Sequence, residues 1–313
     1  MSKLIKLLSN HYISLFIVIV SIVTRIINVL FVSYCSRDKM FLVLQSKSLL
    51  EGKGLTIPKY FTTDPTIAVY KIMPLWPPGY PTLLAPFLKL FKYNIYWATT
   101  SIDIIFSIAL IFIVRKLCKQ VGLPIAATNI ITLIAGCFEY TFIYESRPTD
   151  LVSVVLAYLS IIVIIKLANS NEFSIRRILF TSLLVFLPCL FRYNYPAMSL
   201  AIIAAIGVAG FVKKDKLLKR KALLLFIFNA FAIALFFTLM KLFTGHAGYA
   251  LPTDRGLYPE NIVHWFPVVP SAFINIAFLT SQLIHLVNMP FKTSMLWLEV
   301  INALAIITLT ILF

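Results

Sequence analysis

Nine apolar runs dominate this chain, near residues 12–33, 95–114, 121–142, 148–168, 175–191, 196–212, 222–243, 269–290 and 294–313. Most approach the roughly 20 residues that a helix needs to cross the hydrocarbon core of a bilayer. No water is available there for N–H and C=O groups, so a spanning segment must satisfy its own backbone as a helix. The pattern predicts an all-α polytopic membrane bundle of about nine spans, a single transmembrane domain over residues 1–313. Composition agrees: 60% of residues are hydrophobic and 13% charged, where a soluble domain carries ~25% charged residues. The last run continues to Phe313 without a polar tail, which predicts a chain incomplete at its C-terminus.

The formal net charge of +16 does not indicate a nucleic-acid partner. The basic residues sit mainly in short loops: Arg115, Lys116 and Lys119; Arg176 and Arg177; and Lys213, Lys214, Lys216, Lys219, Arg220 and Lys221. Together with Lys3, Lys6 and Lys292 they fall on one face, which the positive-inside rule makes cytoplasmic, N-terminus included. The 213–221 cluster reads as an orientation signal. The four cysteines have neither CxxC spacing nor a pairing signature. The first apolar run is long and lacks a small-residue cleavage site, so it reads as a retained helix.

Eight of the twelve acidic residues fall on the opposite face: Asp38, Glu51, Asp64, Glu139, Glu145, Asp150, Asp254 and Glu260. The positive-inside rule sorts Lys and Arg and says little about acids. Their crowding points to an extracytoplasmic active site. Much of that face comes from a long first loop, about 34–94. Met40 to Leu50 reads as an amphipathic helix on the membrane surface, ended by Gly52 and Gly54 in left-handed geometry. Pro81 to Leu90 is too short to span and reads as an interfacial helix.

Within this frame Asp38, just beyond the first span, is a candidate general base; the alternative is a surface ion pair with Arg37 or Lys39. Glu145 and Asp150 bracket the start of the fourth span, where Pro148 suits the first helical turn. Asp150 there either complements the helix dipole or binds substrate. Arg192, with Tyr193, lies in a tight aromatic outer turn. A guanidinium at the lipid–water boundary suits a phosphate head group, or else belongs to an aromatic belt. Asp103 lies inside the second span, where Thr99, Thr100 and Ser101 could satisfy it and Arg25 is the expected charge partner. Asp64, His246, Asp254 and His264 are further polar candidates. A divalent metal stays open on the last three, although their spacing matches no metal motif.

The order of the first-loop segments adds a resemblance. Asp38, then Leu49-Leu50-Glu51-Gly52-Lys53-Gly54-Leu55, then Trp76-Pro77-Pro78-Gly79-Tyr80-Pro81 with Leu83-Leu84-Ala85-Pro86, resembles the opening of the GT-C membrane glycosyltransferases. It is most similar to the bacterial branch of protein O-mannosyltransferases and lipid A aminoarabinose transferases. Glu145/Asp150 and Leu190-Phe191-Arg192-Tyr193 extend the similarity over roughly the first 210 residues. Lys39 stands where that family often has a second acid. The resemblance implies transfer of a sugar from a polyprenyl-phosphate donor to a glycan, lipid or protein acceptor, outside the bacterial inner membrane. It implies Asp38 as the base, Arg192 on the donor phosphate and Glu145 or Asp150 on sugar or acceptor. The competing expectation is a non-enzymatic carrier of a polyprenyl lipid or small solute; transporters commonly show internal repeats, and none is evident here.

Overall fold

The computed structural model describes residues 7–31, 36–60, 68–72, 76–137 and 148–244, all within the compact unit Met1–Ala250. The expected runs at 269–290 and 294–313 lie outside the described residues, as do Asp64, Glu145, His246, Asp254 and His264. The described chain is mostly helical: α1 (His11–Phe31), α2 (Arg37–Leu50), α3 (Gly79–Leu90), α4 (Ile95–Gln120), α5 (Ile125–Cys137), α6 (Pro148–Ala168), α7 (Ile175–Phe186), α8 (Tyr195–Val212) and α9 (Lys216–Thr244). A 3-10 turn, Leu187–Leu190, extends α7. Five helices, α1, α4, α6, α8 and α9, are long and apolar enough to cross a membrane; α5 is a shorter apolar helix.

Helix starts follow capping chemistry. The side chains of Ser36, Asn94 and Ser174 accept from the backbone N–H groups of Lys39, Trp97 and Arg177. Asp215 accepts from Leu217 and Leu218 at the start of α9. Each satisfies an amide that has no partner within the helix.

Between the helices, small and polar side chains supply the attachment that the hydrophobic effect cannot supply in lipid. Ser21 Oγ donates to the Thr132 carbonyl (3.2 Å), joining α1 to α5. Arg115 does not lie free in a basic loop. Its guanidinium donates to Asn129 Oδ1 at 2.8 Å and Ser14 Oγ at 2.7 Å, tying α4 to α5 and α1. Ser160 reaches the Leu184 carbonyl, Ser199 the Val185 carbonyl, and Asn229 donates to Ser182, so α6, α8 and α9 all bond to α7. Lys221 is buried and donates to the carbonyls of Leu167 and Ser170, capping the C-terminal end of α6. A cation there also complements the helix dipole.

The first loop departs from expectation in two ways. It contains an antiparallel hairpin, β1 (Thr56–Tyr60) with β2 (Ala68–Ile72), in the register Thr56↔Ile72 to Tyr60↔Ala68. Pro58 is tolerated because either strand of a two-stranded ribbon is an edge. The second departure is α2, expected as a surface helix. It instead buries Leu42 and Val43 in a shared core, and with them Lys39, Gln45, Ser46 and Ser48. Gly52 (φ +73°) and Gly54 (φ +70°) end it in left-handed geometry, as expected.

Candidate active site

One hydrophobic cluster gathers every described element that carries a sequence-predicted site residue. It contains Leu42 and Val43 of α2, Tyr80, Leu84 and Leu88 of α3, Ala98 and Ile102 of α4, Val152 of α6, and Phe191 beside the 3-10 turn. Contact between the first loop and the 191–194 turn depends on Gly79. A Cβ there would collide with the Leu190 carbonyl, so the Pro77-Pro78-Gly79-Tyr80-Pro81 segment rests directly on the backbone two residues before Arg192.

Arg192 and Asp150 form an ion pair, Nε to Oδ1 at 2.9 Å, with the arginine side chain 33% exposed and the aspartate 9%. One terminal nitrogen of Arg192 also reaches Thr149 Oγ1 at 3.5 Å. A guanidinium carries five donors, and these contacts engage its Nε and one terminal nitrogen. The half-exposed fork retains donors for an anionic group. Asp150 stands in the first turn of α6, where the N-terminal end of the dipole favours its charge. From that helix end it also pairs with Arg192.

Tyr193 packs its ring against Phe236 and Phe237 of α9, centroids 6.4 and 6.2 Å away. Burial pushes its phenol above the ordinary range, so it stays protonated. Asp38 occupies the first turn of α2 and is exposed. Its position gives it favourable dipole interaction and access to solvent, as a base acting on a bound acceptor requires.

Lys39, adjacent to Asp38, faces the opposite way. Successive residues on a helix are separated by about 100°, so two neighbouring charges divide between solvent and core. Lys39 Nζ donates to Asp103 Oδ2 at 3.2 Å, with both side chains about 95% buried (6% and 5% exposed). Asp103 is thus paired with a lysine of the first loop, which the sequence offers only as a surface partner of Asp38. Thr99 bonds back to the carbonyls of its own helix instead of to Asp103. Tyr80 is fully buried near the same carboxylate, and burial followed by that charge raises its phenol well above the ordinary value. Sequence reasoning missed Lys39 and Tyr80. Their signal was spacing alone: a charge at the third position of a capped helix, and an aromatic at the start of a short one.

Among the described residues no group of three or more His, Cys, Asp or Glu side chains could hold a metal ion. His246, Asp254 and His264, on which the metal option rested, are outside that set. Compared with protein families, curated proteins and solved structures, the chain gives no match.

Proposed function

We propose that this protein is a GT-C-like membrane glycosyltransferase. It moves a sugar from a polyprenyl-phosphate donor to a glycan, lipid or protein acceptor on the extracytoplasmic face of a bacterial inner membrane. The chain then crosses about nine times, with a cytoplasmic N-terminus. The observation that carries the reading is the seating of Gly79 on the Leu190 carbonyl. It brings the first-loop segment, which carries Asp38, against the turn that carries Arg192, whose partner Asp150 starts α6, as a shared site would require.

In this mechanism Arg192, steered by Asp150, binds the donor phosphate and offsets the charge that grows on it as the sugar–phosphate bond breaks. Charge-assisted bonds to a developing anion are among the strongest contributions a site can make. Asp38 takes the proton from the acceptor hydroxyl as that oxygen attacks the anomeric carbon. The polyprenyl phosphate leaves, and the acceptor carries the sugar.

The test is mass spectrometry of lipid-linked sugars and glycans from cells with and without the gene, followed by transfer from a labelled polyprenyl-phosphate sugar to acceptor by the purified protein. A missing glycan and gene-dependent transfer support the enzyme; unchanged glycans and no transfer sink it. A carrier is the second reading. It is favoured by the buried Asp103 within α4, paired with Lys39 of the first loop, because acidic residues within membrane segments often mark a path for a charged solute. Gene-dependent movement of polyprenyl lipid between leaflets without sugar transfer would select it.

A further inference from the structure

We propose that the groove between α8 and α9 binds an anionic phospholipid, with one acyl chain along Gly207 and Ala222 and the phosphate held by Lys219 and Arg220. This site is separate from the proposed transferase centre and does not depend on it.

The groove arises from small side chains. At Gly210 the two helices meet backbone to backbone: an added Cβ would lie 3.1 Å from the Lys219 nitrogen. One turn earlier, at Gly207, the nearest atom to such a Cβ is the Ala222 Cβ at 3.8 Å. Ala204, Gly207 and Ala222 therefore leave a channel of about 400 Å³, walled by Ile203, Leu223 and Phe226, with Phe211, Lys219 and Arg220 at one end. From Ile203 to Phe211 α8 rises about 12 Å. One leaflet contributes about half of the ~30 Å hydrocarbon core, so the channel matches the depth of a single acyl chain.

The charges at its end suit a phosphate. Six cations and one acid lie between residues 213 and 221. Asp215 is occupied in capping α9, and Lys221 in capping α6. Lys219 lies over the Phe211 ring at 4.3 Å and Arg220 over the Phe173 ring at 4.2 Å. Aromatic faces orient cations without neutralising them, and among the described residues neither cation forms an ion pair with a carboxylate. Orientation of the chain in the membrane accounts for the presence of these charges. It does not account for an apolar channel ending beneath two of them.

The experiment is native mass spectrometry of the delipidated full-length protein in detergent, titrated separately with phosphatidylglycerol, phosphatidylcholine and inorganic phosphate. Wild type is expected to bind phosphatidylglycerol more tightly than phosphatidylcholine, and free phosphate hardly at all. Each lipid-facing cation contributes about fivefold, so K219Q/R220Q should weaken phosphatidylglycerol by about twenty-five-fold and leave phosphatidylcholine unchanged. Gly207→Leu, whose Cβ meets Ala222 at ordinary contact distance and whose branch fills the channel, should weaken both lipids while leaving thermal stability intact. K213Q/K214Q, which removes two cations outside the channel, should leave affinity unchanged. Loss of phosphatidylglycerol in that control equal to the loss in K219Q/R220Q, or full binding by Gly207→Leu, would overturn the proposal in favour of diffuse surface attraction.

Discussion

Lys39 Nζ and Asp103 Oδ2 are 3.2 Å apart, in side chains that are almost entirely buried. The pair links the first turn of α2 to the second long helix, one residue from the exposed Asp38. Breaking such a pair leaves an uncompensated charge and costs about 3–5 kcal/mol, whereas replacing both partners with apolar side chains of similar volume is often neutral or stabilising. Lys39→Met and Asp103→Leu are each expected to lower the unfolding midpoint in detergent, and the double variant to recover it. Additive losses in the double variant would show that the two charges do not act as a pair.

Gly79 and Gly52 should respond differently to alanine. At Gly79 the obstacle is the fixed Leu190 carbonyl, so Gly79→Ala overpacks the contact and costs about 1–3 kcal/mol. If the proposed function holds, it also weakens use of the donor through the displaced Arg192. At Gly52 nothing lies within 4 Å of the new Cβ, and only the left-handed backbone resists, costing about 1–2 kcal/mol. Thermal unfolding together with transfer kinetics separates the two, since Gly52→Ala should leave donor dependence unchanged.

Asp38 and Arg192 make opposite predictions for binding and chemistry. Asp38→Asn removes an exposed charge from a helix N-terminus, a loss of about 0.3–1 kcal/mol in stability, and under the proposed mechanism abolishes transfer with donor binding retained. Arg192→Ala weakens donor binding and removes the partner of Asp150, so its defect is felt most at low donor concentration. Normal turnover by Asp38→Asn would remove it as the base. Normal donor dependence in Arg192→Ala would return that arginine to the interfacial belt.

The junction between α2 and the hairpin should be pH-dependent at both extremes. Lys53 Nζ donates to Glu51 Oε2 and Tyr70 Oη, each at 2.7 Å. The lysine hydrogen bond holds the Glu51 carboxyl below its ordinary 4.5, while the bonds to Glu51 and Tyr70 hold the Lys53 ammonium above its ordinary 10.5. A depressed acid stabilises the fold above its unfolded pKa, and that contribution is lost as pH falls through the folded value. A raised base stabilises below its unfolded pKa, and that contribution is lost as pH rises through the folded value. The protection factors of the hairpin amides, taken relative to the intrinsic exchange rate at each pH, should therefore be highest between the two and fall outside them. Tyr70→Phe should weaken the alkaline limb most.

Much of the helical layout was legible without coordinates. Runs predicted at 12–33, 148–168 and 196–212 correspond to α1, α6 and α8 within two residues. Pro148 marked the start of α6, and Gly52 and Gly54 the end of α2, because such signals act locally. The hairpin was not legible: its Thr56-Ile57 and Val69-Tyr70 segments are β-forming, but Pro58 and the nearby glycines made the region read as a loop. Within the site, Asp150 at the first turn of α6 could be read from Pro148 and Asp150, whereas its pairing with Arg192 could not.

The sequence by itself determined that this chain forms long apolar helices, because a backbone in lipid must bond to itself and length and hydrophobicity decide where it can. It also identified the polar segments outside those helices. Only the tertiary structure decided which polar groups turn inward. Asp38 and Lys39 are neighbours in sequence, yet one meets solvent and the other is buried against Asp103. That division depends on which face of α2 packs against α3 and α4. The meeting of Gly79 with Leu190, and of Asp150 with Arg192, likewise depends on side-chain fit across the bundle, which no local pattern encodes.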